Sequence, residues 1–251
     1  MTTSGRYADG RGYELPTDWA PLNDDLLSAA LDRARQASAG DAMDRLRRFY
    51  DRESEYAGTS FLDAAPNPPD AVHAADLYAV SRLSITVTNL QGRLLLHDTQ
   101  QVTRTKELLA AIPPELTIAD LTSSTLTAMW DLQHHFRSLL ATDTKQSNHW
   151  VFAAKLCARK RPALFPVRDS VVCRYLSGGQ QLAGSAAHAR QGRLGWFSSD
   201  IQVFAYIATD AALQSALRKL QAEADRLGIS VDNQPLRLLD ALLWTRGKSN
   251  A

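Results

Sequence analysis

Ala153-Ala-Lys-Leu-Cys-Ala-Arg-Lys-Arg-Pro-Ala-Leu-Phe-Pro-Val-Arg-Asp-Ser-Val-Val-Cys-Arg-Tyr-Leu176 decides how the chain is read. A helical run from Trp150 to Arg159 stops at Pro162, because proline cannot continue the hydrogen-bonded ladder. A short extended turn, Ala163 to Val167, leads to Asp169, whose carboxylate can cap a new helix running to about Leu176. Gly178 and Gly179 supply the left-handed exit. Helix, tight turn and capped helix follow one another with no room for a strand, and the same punctuation recurs on both sides.

Upstream, Asn23 or Asp24 caps a helix with Leu26, Leu27, Ala30, Leu31 and Ala34 on one face, ended by Gly40. Asp41 opens a second with Leu46, Phe49 and Tyr50 buried, so the two read as a helical hairpin. Pro66, Pro68 and Pro69 form a stiff connection. Val72, Ala75, Leu77, Tyr78, Val80 and Leu83 give a helical pattern from Asp70 to about Ser84, with β-branched Ile85 to Val87 open to an extended reading. Helices follow over about Gln100–Ala111 and Ile118–Leu140. Downstream they are expected over about Ser199–Ile207, Ala211–Leu227 and Pro235–Trp244, the last with proline in its first turn. The expected class is all-α, with a two-lobed arrangement. Residues 1–22 read as an irregular arm packing through Tyr13, Leu15 and Trp19, and residues 23–247 as one helical domain with a cleft near 147–176.

The 251 residues include 28 Lys plus Arg and 27 Asp plus Glu, and 45% are apolar. A disordered chain, a collagen-like chain and an overall polybasic nucleic-acid binder are excluded. Cys157 and Cys173 form no C-x-x-C pair, which removes zinc ribbons, four-cysteine clusters and disulfide frameworks. No two of the six histidines stand four residues apart, so no metal or other cofactor is expected. No G-x-S-x-G elbow or Gly-Lys-Ser phosphate loop is present. No apolar stretch approaches the roughly 18 residues of a membrane helix and no signal-like segment opens the chain, so a soluble, cytoplasmic protein is expected.

Within 153–176 the local charge is +5, from Lys155, Arg159, Lys160, Arg161, Arg168 and Arg174 against Asp169. Such density suits a phosphate backbone, and it equally suits cations gathered at a helix C-terminus. Asp169 admits two compatible roles. As a cap it accepts from first-turn amides, and the same amides, with the nearby Arg168 and Arg174, are expected to keep it ionised at neutral pH. An ionised, rigid carboxylate is also what cleavage of an N-glycosidic bond demands, since the sugar becomes cation-like in the transition state.

Phe165-Pro-Val-Arg-Asp-Ser-Val-Val-Cys-Arg174 resembles the P-I-L-D-G-N-V-x-R and P-V-D-x-H-V-x-R strings of the helix-hairpin-helix DNA glycosylases. The resemblance implies that Asp169 is the catalytic carboxylate, with Pro166 and Arg174 matching the family's proline and arginine, and Ala153 the alanine of its G-V-G-x-x-T-A helix start. Ser147-Asn148-His149 stands where that family has G-V-G, and Val151 falls near the lysine of its bifunctional members, so no lyase step is expected. Over more of its length the chain resembles a bacterial family, domain of unknown function 6308. The pieces are Tyr56-Ala-Gly-Thr-Ser-Phe61, Asp76-Leu-Tyr-Ala-Val through Leu83-Ser84, Lys155 to Val172, and Leu236-Arg-Leu-Leu-Asp-Ala-Leu-Leu-Trp244. That resemblance transfers no activity.

The first expectation is therefore a monofunctional DNA N-glycosylase that flips a base into its cleft. Asn148, His149, Lys155, Arg159, Lys160, Arg161, Arg168 and Arg174 are the candidate contacts to double- or single-stranded DNA, and Trp130, Trp150 and Trp196 the candidates for stacking on the base. The alternatives are a non-catalytic DNA- or protein-binding chain on the same scaffold, and an enzyme acting on a small nucleoside-like ligand.

Overall fold

The computed structural model describes residues 3–51, 53, 61, 64–141, 149–179 and 192–249. Eleven helices lie among them: α1 (Asp24–Ala37), α2 (Ala42–Tyr50), α3 (Ala74–Ser81), α4 (Asn89–Leu96), α5 (Thr99–Ala110), α6 (Ser123–Leu140), α7 (His149–Lys160), α8 (Ser170–Ser177), α9 (Gly192–Ala208), α10 (Ala211–Arg226) and α11 (Pro235–Ser249). Side-chain caps start many of them. Asn23, Thr88, Asp98, Thr122, Asp169 and Asp210 each accept a first-turn amide, satisfying donors that a helix start leaves orphaned. The fold is mostly helical, as the punctuation requires.

Two local expectations are corrected and one helix is added. The arm is not irregular: β1 (Ser4–Arg6) and β2 (Gly12–Glu14) pair antiparallel, Gly5 opposite Tyr13. Tyr7, Tyr13, Leu15, Trp19 and Leu22 are all buried, so the arm belongs to the core. Residues 82–88 are neither helix nor strand; Ser84 takes a left-handed φ of 61°, which ends α3 abruptly. The helix α4 was hidden by its shortness and Gly92, although Thr88 and Gln91 form a reciprocal capping box.

The strongest helix contacts run within two groups. In one, α7 packs on α3 and α6, and α4 and α5 complete the set. In the other, α1, α2, α8, α9, α10 and α11 pack on one another, with α8 against α1 and α11. One continuous apolar core serves both. The segment 161–169 carries the chain from the first group to the second. At the α8–α11 crossing Gly247 admits no side chain, since a Cβ there would stand 2.8 Å from Val171 Cγ1. Buried Arg45 ties α2 to α11 through the Leu242 carbonyl and the Thr245 hydroxyl. No helix of the described residues is long and apolar enough to cross a membrane.

Candidate functional site

The start of α8 is pinned residue by residue. The Val167 amide donates to Asp240 Oδ2 of α11 at 2.8 Å, and Arg168 forms a buried ion pair with Asp200 of α9. Asp169, in extended conformation, accepts from the Val171 and Val172 amides at 2.9 and 2.8 Å. Both amides use Oδ1. Oδ2 accepts no hydrogen bond from the described residues, so the cap consumes half of the carboxylate and leaves the other half over.

Asp169 lines a cavity of about 360 Å³ at the junction of the two helix groups, with Lys155 of α7, Arg237 and Asp240 of α11, Phe49 of α2 and the Ser84 turn. That volume lies in the range of small-ligand pockets, roughly 300–1,000 Å³. Lys155 donates to the Leu83 carbonyl beside that turn. Burial pushes its amine down to about 8, with the Asp169 charge opposing the shift. Burial likewise raises the Asp169 carboxyl, while the two cap amides and Lys155 hold it down. Asp240 is pushed up to about 7 by burial, against the pull of Arg237. Its Oδ1, Arg237 Nε and Arg82 Nε are buried without a partner among the described residues, an uncommon concentration of unsatisfied polar atoms around one cavity. No group of three His, Cys, Asp or Glu side chains able to hold a metal converges among the described residues.

The Lys155 shift has a thermodynamic consequence. Its folded value, about 8, lies below the 10.5 of an unperturbed lysine, so between these the unfolded chain binds more protons and stability rises with pH. Below about 8 the buried ammonium is a standing cost of a few kcal/mol. Lys155→Met is therefore expected to raise Tm at pH 7 by a few degrees and to give no gain at pH 10.5. An equal gain at both values would show that packing, not charge, is responsible.

The expected basic surface is not on the surface. Arg159, Lys160 and Arg161 are all buried. Arg159 and Lys160 share the buried carboxylate of Asp76 on α3, and Arg159 also donates to the Phe61 and Ala64 carbonyls. Arg161 donates to the carbonyls of Pro69, Leu109 and Ile112. Lys155 and Arg168 are spent as described above, so these five cations tie loops and helices together instead of facing a phosphate backbone. Of the six, Arg174 alone is exposed. Exposed cations near the cavity come from elsewhere: Lys248 on α11 lines it, and Arg48 on α2 lines an adjoining depression that shares Phe49, Trp244 and Lys248 with it.

Trp130, Trp150 and Trp196 do converge, but on a different cavity, whose walls do not include Asp169. The expected joining of base stacking and carboxylate chemistry in one pocket is thus not what the structure holds. His149 begins α7; Ser147, Asn148 and the Tyr56–Ser60 part of the family resemblance lie outside the described residues. Val151 and Lys155, one turn apart, line the Asp169 cavity together. Sequence reasoning missed Asp76, Arg237 and Asp240. The signal for the last two was an Arg and an Asp three residues apart inside the otherwise apolar run Leu236–Leu243, a pattern that makes sense when both are buried and paired.

The model of a family of unknown function, DUF6308, matches residues 42–247. No curated protein and no solved structure gives a match.

Proposed function

The chain belongs to the DUF6308 family of unknown function, and because membership brings no activity with it, we propose from the cavity itself that the protein cleaves an N-glycosidic bond, with a DNA base extruded between the helix groups. The observation that carries this reading is the divided use of Asp169: Oδ1 fixed by two amides, Oδ2 left over beside a cavity shared with Lys155 and Asp240.

The chemistry follows from those positions. As the C1′–N bond breaks, its electron pair leaves with the base, and the cation left on the sugar is stabilised by the Asp169 carboxylate. The departing base needs a proton. Asp240, pushed up to about 7, with its Oδ1 unpartnered, is the group able to carry one at neutral pH. Water then adds at C1′ and gives up its proton to the Asp240 carboxylate, which returns to its starting state. Arg48, Lys248 and Arg174 are the exposed cations available to flanking phosphates.

A second substrate form, a free nucleoside, is favoured by the burial of Arg159, Lys160 and Arg161, which removes the cations expected to face a duplex. Base release from duplexes bearing a panel of damaged bases, run beside a panel of free nucleosides, separates the two. Release from DNA is expected, and release from nucleosides alone would transfer the reading to the small substrate. Strand breaks should appear only after alkali, because the Lys155 amine is held by the Leu83 carbonyl. A borohydride-trapped protein–DNA cross-link would overturn that expectation.

A further inference from the structure

The second cavity, of about 260 Å³, shares only Ser170 with the walls of the first. Its walls are aromatic. The Trp130 ring stacks on His134, with centroids 5.2 Å apart and planes 29° apart, and tilts against Phe197. Trp150 lies under the Arg168 guanidinium. Trp196, also in the wall, is 40% exposed.

Among the described residues, the positive charge around this aromatic box has no compensating acid. Arg137, Arg174 and Arg193 line it, and none of them is ion-paired among the described residues. Asp200, the acid in the wall, is committed to Arg168. Burial, followed by repulsion from Arg193 and Arg168, lowers Arg137 to about 10, so it remains charged at neutral pH, with no counterion among the described residues. Gln133 is 3% exposed. Its Nε2 donates to the Trp150 carbonyl at 3.2 Å, and its Oε1 has no partner among the described residues, an acceptor left waiting for an N–H donor.

We propose that this cavity is a binding site for a nucleoside monophosphate, the base inserted among Trp130, Trp150 and Trp196 with an N–H edge toward Gln133, and the phosphate at the mouth on Arg137, Arg174 and Arg193. Flat rings find aromatic faces, a dianion finds three guanidiniums, and the orphan acceptor finds its donor. The volume suits one ring system, smaller than a drug-sized pocket. The inference stands apart from the N-glycosidic reading: of the groups that reading uses it shares Arg174 alone, and neither Asp169 nor Asp240 lines this cavity.

Tryptophan fluorescence and calorimetric titration of the full chain test it, with AMP as probe and adenosine, ribose 5-phosphate, phenyl phosphate and inorganic phosphate as comparisons. Three of the five tryptophans line the cavity, so occupancy should quench emission saturably. AMP is expected to bind at least about tenfold more tightly than every comparison compound. Arg193→Ala and Trp196→Ala, both at exposed positions, should each weaken AMP binding about tenfold or more while melting at the wild-type temperature. Asp169→Asn should leave AMP affinity unchanged, so failure of either reading is visible without the other. No saturable AMP binding at millimolar concentration, equal binding of adenosine or phosphate, or AMP affinity indifferent to both variants would overturn the proposal.

Discussion

Replacing Asp76 by Asn is expected to bring the protein close to unfolding. The carboxylate is fully buried, with one oxygen on Arg159 Nε at 3.0 Å and the other shared between Lys160 Nζ and the His73 amide at the start of α3. Removing the charge leaves two cations that cannot reach water, and breaking a buried pair in this one-sided way costs about 3–5 kcal/mol. Domains have about 5–15 kcal/mol in total. A chain of this size should lose roughly 6–20 °C in Tm. Asp131→Asn, at an exposed position of α6, should melt as wild type. Thermal denaturation followed by circular dichroism reads both. A loss below about 3 °C for Asp76→Asn would mean that the cations find carbonyl partners enough without it.

The same network explains why the basic run misled a reading by sequence. A string such as Arg159-Lys160-Arg161 looks solvated when only neighbours in the chain are considered, because Lys and Arg are almost never fully buried unless paired. Their partners lie some 50 to 100 residues away, at Phe61, Asp76, Leu109 and Ile112. No local pattern announces them. The helices, by contrast, are legible where their starts are local chemistry: Asn23 and Asp169 each satisfy amides two or three positions on. Gly178 is legible for the same reason. It ends α8 at φ 74°, and its amide and that of Gly179 return to the Tyr175 and Arg174 carbonyls.

Of the candidate site, Asp169 was legible because a capping Asp sits at a fixed offset from a helix. The three tryptophans are candidates by residue type alone, and their separation from Asp169 has no local signal, since it depends on how α6, α7 and α9 pack. Asp240 and Arg237 were overlooked for the opposite reason to the basic run: an apolar stripe drew attention away from the two charges inside it. The hairpin formed by Ser4–Arg6 and Gly12–Glu14 was too short to give a period.

The second large effect concerns Asp169 itself. Asn retains an oxygen that can accept from the Val171 and Val172 amides, so Asp169→Asn should keep the start of α8 and melt near the wild-type temperature. It removes the negative charge that the developing sugar cation requires, and each 1.36 kcal/mol of lost transition-state stabilisation is about tenfold in rate. Activity should therefore fall by orders of magnitude while stability holds. A residue serving only as a cap behaves in the reverse way, with Asp169→Asn silent and Asp169→Ala less stable by about 1 kcal/mol.

The most direct measurement is single-turnover release of free base by the wild-type protein and by Asp169→Asn, from the damaged-base duplexes and the free nucleosides, with Tm recorded on the same preparations. The account predicts release by the wild type and a loss of at least about a hundredfold in the variant at unchanged Tm. Release that survives the substitution, or no release by the wild type from any duplex or nucleoside, would contradict it.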